Sequence, residues 1–224
     1  MGGKGLWLKA LLLFFASIAV ISGMLFLPAG TLDYWQAWLY MSAIFVPVAF
    51  VGLYFLAADQ AFLERRFKMR EKEKPQKLVQ KIGALIFIVG FLLPGLDRRF
   101  GWSQVPSWMS LAADAVVLLS YFLIFLVFRE NSFAGRTIRV EKGQKVISTG
   151  PYSVIRHPMY LGVLLMYLAT PVALGSYVAF WPFLLTIPLL AYRIGNEEEV
   201  LLRELEGYEE YAAKVRYRLV PGIW

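Results

Sequence analysis

The feature that most limits what this chain can become is a succession of apolar runs on the scale of a bilayer. About 20 consecutive apolar residues make one helical span. Residues 6–27, 34–58 and 105–128 meet that length, and 82–96 is a shorter run between them. Residues 159–174 and 177–192 add a fifth and a sixth run, parted only by Gly175-Ser176, and so predict a tight helical hairpin. Pro171, Pro182 and Pro188 lie in that hairpin and predict tilts or breaks in it. The expectation is an all-α protein: a polytopic integral membrane bundle of about six segments, followed by a C-terminal amphipathic helix on the cytosolic side. With 58% hydrophobic and 17% charged residues, the chain departs from soluble domains, which run about 45–50% apolar and about 25% charged. The first run is read as a retained helix, since no small-residue cleavage site follows it. The start MGGKGL lacks the Ser or Thr that N-myristoylation prefers.

Charge gives an orientation. With the N-terminus placed in the cytoplasm, all but two of the 23 lysines and arginines fall on the cytoplasmic side, and only Arg98 and Arg99 fall outside. The positive-inside rule favours this arrangement, with both termini cytoplasmic. It also accounts for most of the +7 net charge, so no nucleic-acid partner is implied. The basic stretch 64–77 reads as a solvated loop near anionic headgroups. The absence of cysteine excludes disulfides, thiolate metal sites and cysteine nucleophiles. With one histidine and no histidine cluster, no metal site is expected. The chain divides into four spans over 1–128 and a region over 129–224 that holds the two longest polar stretches of its second half.

Those stretches carry the chemistry. TGPYSVIRHPMYLG (149–162) holds the one histidine, His157. Pro158 disfavours helical geometry at His157 and itself suits a first helical turn. His157 is therefore predicted at the N-cap of the fifth helix, beside Arg156 and near Tyr160. Free amides there favour an anionic ligand group, while the plainer reading is an interfacial anchor. In the tail, Leu201, Leu205, Tyr208, Ala212 and Val215 follow helical spacing, with Gly207 as a kink. Glu197, Glu198 and Glu199 precede that stripe, as ligand-binding acids or as a solvated acidic turn. Asp114, deep in the fourth run, is either a functional acid facing a groove or a sign that the span starts later. Asn131 is placed near the same polar region, and Asp97 with Arg98 and Arg99 reads as an interfacial cluster.

The ordered set resembles the isoprenylcysteine carboxyl methyltransferase family and its bacterial and archaeal relatives, which sit close to the phospholipid methyltransferases. The matching residues are Gly150, Pro151, Tyr152, Arg156, His157, Pro158, Tyr160 and Gly162, then Glu197, Glu198, Leu201, Tyr208 and Tyr211. The basic ending Arg216-Tyr217-Arg218-Leu219-Val220-Pro221 completes it. One departure is LEGYEEY, where members commonly carry Phe-Gly. The shifted register leaves the acidic pair as 197/198 or 198/199, and 197/198 aligns better with Leu201 and Leu205.

The resemblance implies S-adenosyl-L-methionine as cofactor and a lipophilic or lipid-modified acceptor drawn from the membrane. It implies cofactor binding by Gly150, Pro151, Tyr152, His157, Tyr160, Gly162, Glu197 and Tyr208, and catalytic roles for Arg156, Glu198 and Arg216. Arg156 is the expected grip on an acceptor carboxylate. Two other readings stand beside this one. Sterol-type NADPH reductases share an RHPNY-like motif, but place an acid after the motif's glycine where this chain has Val163. A non-catalytic membrane scaffold is the other.

Overall fold

The computed structural model describes residues 3–68, 74–134, 137–138, 140–141 and 143–224. Parts of the basic stretch 64–77 and of the loop 129–158 therefore lie outside the described residues. Nine α-helices and one 3-10 turn are found among those described, with no strand. They are α1 (Gly3–Ala29), α2 (Trp35–Ala58), α3 (Gln60–Lys68), α4 (Lys74–Phe100) and α5 (Ser107–Glu130). The turn Gly150–Ser153 follows, then α6 (Pro158–Ala173), α7 (Phe180–Leu184), α8 (Thr186–Glu204) and α9 (Tyr208–Lys214).

Four helical stretches are long and apolar enough to cross a membrane: Gly5–Ala29, Trp35–Ala58, Gln76–Phe100 and Ser107–Glu130. The third is longer than the 82–96 read from the sequence. Its first turns carry Lys77 and Lys81 on the outside while Gln76 and Val79 are buried, so a helix continues through what reads as a charged loop. The hairpin differs more. α6 is a 16-residue apolar helix, but the sixth run breaks at 177–179 and again at Leu185. Pro182 sits in the short α7, and Pro188 in the first turn of α8, where a missing N–H costs nothing. α8 then runs from the apolar layer out to Glu204, joining the last membrane segment to the polar tail in one rod. The amphipathic tail is two helices, because Gly207 at φ +81° turns the chain between α8 and α9.

α5 and α6 form the closest helix pair, and α1 packs along α4. Gly162 makes the first contact possible. A Cβ there would stand 2.8 Å from Ile124 Cγ1 and 3.2 Å from the Ser120 carbonyl. Its expected cofactor role thus meets a packing role. Buried aromatic hydroxyls tie α2 to the far end of α6. The Tyr34 hydroxyl donates to the Leu174 carbonyl at 2.5 Å, and Tyr40 and Thr170 hydroxyls lie 2.8 Å apart. Asp114 is well inside α5, seven residues from its start, and buried. Neither carboxylate oxygen has a hydrogen-bond partner among the described residues.

Candidate functional site

The site lies where α6 begins, at the end of the bundle shared by α3, the start of α4 and the tail. His157 is the N-cap of α6, as Pro158 dictates, but its ring does not cap the helix. It turns to α8, where Nε2 lies 3.1 Å from Glu198 Oε1. The segment before α6 is held by the tail: the Arg156 and His157 amides donate to the Tyr217 and Arg218 carbonyls, both at 2.9 Å. Two backbone donors that precede the helix are satisfied in this way.

Glu198 is the knot between the three pieces. Its Oε1 accepts from Arg156 Nε at 2.6 Å and from His157 Nε2. Its Oε2 accepts from Arg218 Nε at 2.6 Å and Arg156 Nη2 at 3.3 Å. A carboxylate offers about four acceptor positions, so the set is filled by the chain itself. Burial alone would push the Glu198 carboxyl upward. The His157 and Arg156 hydrogen bonds and charges outweigh it and hold the carboxyl at about 2. Arg156 is similarly engaged, since Nη1 donates to the carbonyls of Val215 at 3.0 Å and of Ala212 and Arg216 at 3.3 Å. It holds the tail onto α8. Arg216 contributes that carbonyl and is otherwise exposed. The cation that reaches Glu198 from the tail is Arg218.

Beside the knot is a cavity of about 70 Å³, lined among others by Phe133, Thr137, Tyr152, His157, Tyr160 and Glu197. At ~30 Å³ per water it holds only a few water molecules in this state. Its chemistry is mixed. The Tyr160 hydroxyl donates to Glu197 Oε2 at 2.5 Å and accepts from Arg193 Nε at 2.9 Å. Arg193 Nη1 in turn donates to Gln76 Oε1 at 2.9 Å, and Gln76 is 2% exposed. Glu197 Oε1 keeps no partner among the described residues, and Thr137 Oγ1 is buried without one. The Tyr152 hydroxyl accepts from Asn131 Nδ2 at 3.1 Å. Burial raises the Tyr152 phenol, and the Asn131 hydrogen bond only partly opposes it. Tyr152 therefore stays a neutral donor. An anionic acceptor, two hydroxyls and aromatic walls suit a ligand with a cation, hydroxyl groups and a ring. The residues fit S-adenosyl-L-methionine in kind, and the cofactor is larger than the cavity as it stands.

The sequence-derived site residues thus separate into two groups. Tyr152, His157, Tyr160, Glu197 and Arg156 line the cavity. Gly150, Pro151, Gly162, Glu198, Arg216 and Tyr208 do not. Gly150 and Pro151 form the 3-10 turn that carries Tyr152, with Gly150 against the Glu130 side chain. Tyr208 packs with Leu205 and Tyr211, its hydroxyl buried and without a partner among the described residues. Of the three acids, Glu197 and Glu198 face inward and Glu199 is exposed. Gln76 and Thr137 were missed. Gln76 stands between Pro75 and Lys77 in a stretch read as solvated loop. Thr137 has only its hydroxyl to mark it.

With this geometry in place, the matches to known proteins take on meaning. Residues 108–207 match the family model described as phospholipid methyltransferase. That match supports a membrane methyltransferase-type family. It runs from the start of α5 to Gly207 and so holds Arg156, His157, Tyr160, Glu197 and Glu198 together; Gln76 and Arg218 lie outside it. The chain is also similar to the Delta(14)-sterol reductase of Mus musculus, 32% identical over 105 residues. That stretch is 43% of this chain and 25% of the reductase, so the chain spans about a quarter of that relative's length.

Proposed function

We propose that this protein is an integral membrane methyltransferase using S-adenosyl-L-methionine, with a lipophilic acceptor entering from the bilayer. The supporting observation is the Glu197–Tyr160–Arg193 chain at the cavity, anchored by the Glu198 knot and lying mostly within the stretch that matches a phospholipid methyltransferase family. Glu197 is assigned the cofactor's ammonium or ribose hydroxyls, through the oxygen that Tyr160 leaves free. Tyr152, Tyr160 and Phe133 are assigned to wall its ring, and His157 the polar face at the start of α6. The bound cofactor supplies a methyl group already activated on a sulfonium, so the chain's task is alignment. A carboxylate acceptor, as in isoprenylcysteine-type O-methylation, needs no base. A lipid amine does, because it is protonated at neutral pH, and Glu197 is the available carboxylate. The catalytic region is assigned to 129–224 together with α5, and the site end of the bundle to the cytosol.

The reductase similarity sustains one other reading, an NADPH-dependent membrane reductase. Calorimetry on detergent-purified protein separates the two. Micromolar binding of S-adenosylmethionine and S-adenosylhomocysteine is expected, weakened at least tenfold by Glu197→Gln, with no heat from NADPH. NADPH binding alone would replace the proposal with the reductase, and binding of none by folded protein would leave the scaffold.

A further inference from the structure

The opposite end of the bundle carries a second, larger cavity of about 320 Å³. It is enclosed by the start of α2, the end of α4, the loop 101–106 and the end of α6, and its lining includes Tyr34, Gln36, Asp97, Arg98 and Gln104. Nothing in the methyl-transfer reading uses it. Three of its groups have unspent hydrogen-bonding capacity. Gln36 Oε1 is buried with no partner among the described residues. A buried amide oxygen left bare costs roughly 1–3 kcal/mol, which a ligand donor would recover. Asp97 is 2% exposed and accepts from the Ser103 amide at 2.7 Å, Ser103 Oγ at 2.6 Å and Ser176 Oγ at 2.5 Å. That is three of about four acceptor positions, and the vacant one is on Oδ1. Arg98 donates through Nε and Nη2 to the Asp33 carbonyl at 3.3 and 2.9 Å, and Nη2 also lies 3.5 Å from Asp33 Oδ2, which leaves Nη1 without a partner among the described residues.

The cavity is at headgroup level. Five of the seven tryptophans, Trp35, Trp38, Trp102, Trp108 and Trp181, are exposed around this end of the bundle. Tryptophans concentrate at membrane–water interfaces. The cavity therefore presents two acceptors, one of them anionic, and one cationic donor within reach of lipid headgroups.

We propose that this cavity binds the headgroup of a membrane phospholipid that has both a primary ammonium and a phosphodiester, as in phosphatidylethanolamine. The ammonium's three N–H donors meet Gln36 Oε1 and Asp97 Oδ1, and the phosphate meets Arg98. A choline headgroup has no N–H to give, and a glycerol headgroup has no cation. The lipid so held is separate from any acceptor, since the Glu197 cavity is at the other end of the bundle.

The test is native mass spectrometry of protein re-lipidated from mixed micelles holding equal amounts of phosphatidylethanolamine, phosphatidylcholine and phosphatidylglycerol. One retained phosphatidylethanolamine is expected, at least fivefold over the other two. Gln36→Leu and Arg98→Gln should each lower that retention at least fivefold. Gln36→Glu should raise it, and Gln36 Oε1 has no hydrogen bond to lose among the described residues. Equal retention of the three lipids, or retention unchanged in all three variants, would overturn the proposal. Calorimetric binding of soluble phosphoethanolamine as tight as that of the lipid would assign the site to the free molecule and overturn the lipid assignment.

Discussion

Glu198 shows how a motif residue can be essential without being open to a ligand. Three cationic or N–H-bearing side chains from two other segments converge on one buried carboxylate. Removing it leaves Arg156 and His157 facing each other without an anion, and breaking a buried pair in this way costs about 3–5 kcal/mol. Glu198→Gln should therefore lower the thermal midpoint of the detergent-solubilised protein by several degrees and loosen the tail, read as new proteolysis between α9 and Trp224. The pH dependence follows from the sign of the shift. The folded carboxyl is held at about 2, below its ordinary value of 4.5. Its stabilisation is fully present above pH 4.5 and is lost as pH falls from 4.5 towards 2. Wild type should lose stability across that window more steeply than Glu198→Gln in parallel melts. Equal slopes would mean that Glu198 does not carry this charge. His157 was legible at this scale because Pro158 fixes where the helix starts. The role of Arg218 was not. It reaches Glu198 only because the backbone of the tail pairs with residues 156 and 157, a contact between distant segments that no local pattern signals. Arg216, two residues away and as basic, points elsewhere.

Between elements, the contact that places the site is α5 against α6. α6 begins at His157, so any shift of α6 along α5 moves His157 relative to α8. Gly162 lets the two backbones approach, and Gly162→Ala inserts a methyl 2.8 Å from Ile124 Cγ1. Overpacking of this kind costs about 1–3 kcal/mol. The expected outcome is a lower thermal midpoint and weaker S-adenosylmethionine binding together, both partly restored by Ile124→Ala, which removes the Cγ1 that the new methyl meets. Loss of binding with stability unchanged and no rescue would instead place Gly162 at the ligand. The apolar runs of α1, α2 and α5 were readable because hydrophobic length alone sets a span. The extension of α4 was not, and Gly207 was readable as a kink in one tail helix but not as the break between two. Lys74, Lys77 and Lys81 punctuate the stretch around Gln76 and Val79, so composition hides the helix there. Conversely, the regular spacing from Leu201 to Val215 runs unbroken through Gly207, whose positive φ ends one helix before the next begins.

For the whole molecule, two unlike ends follow from one charge pattern. One end gathers nearly all of the described lysines and arginines, the Glu198 knot and the Glu197 cavity. The other has Arg98 and Arg99 within a belt of exposed tryptophans. A bilayer reads such asymmetry through the positive-inside rule, and on that ground we propose that the Glu197 end faces the cytosol, where a soluble cofactor is available. The chain has no cysteine, so single cysteines report topology without background. Gln104→Cys, in the loop lining the second cavity, should react with a membrane-impermeant maleimide added to intact cells. Lys145→Cys, in the loop over the first cavity, should react only after the membrane is opened. The reverse pattern would put the Glu197 cavity outside, away from any cytosolic cofactor, and would remove the methyltransferase reading whatever the purified protein binds. Labelling of both positions in intact cells would mean mixed insertion, and the charge difference between the two ends would then not be what orients the chain.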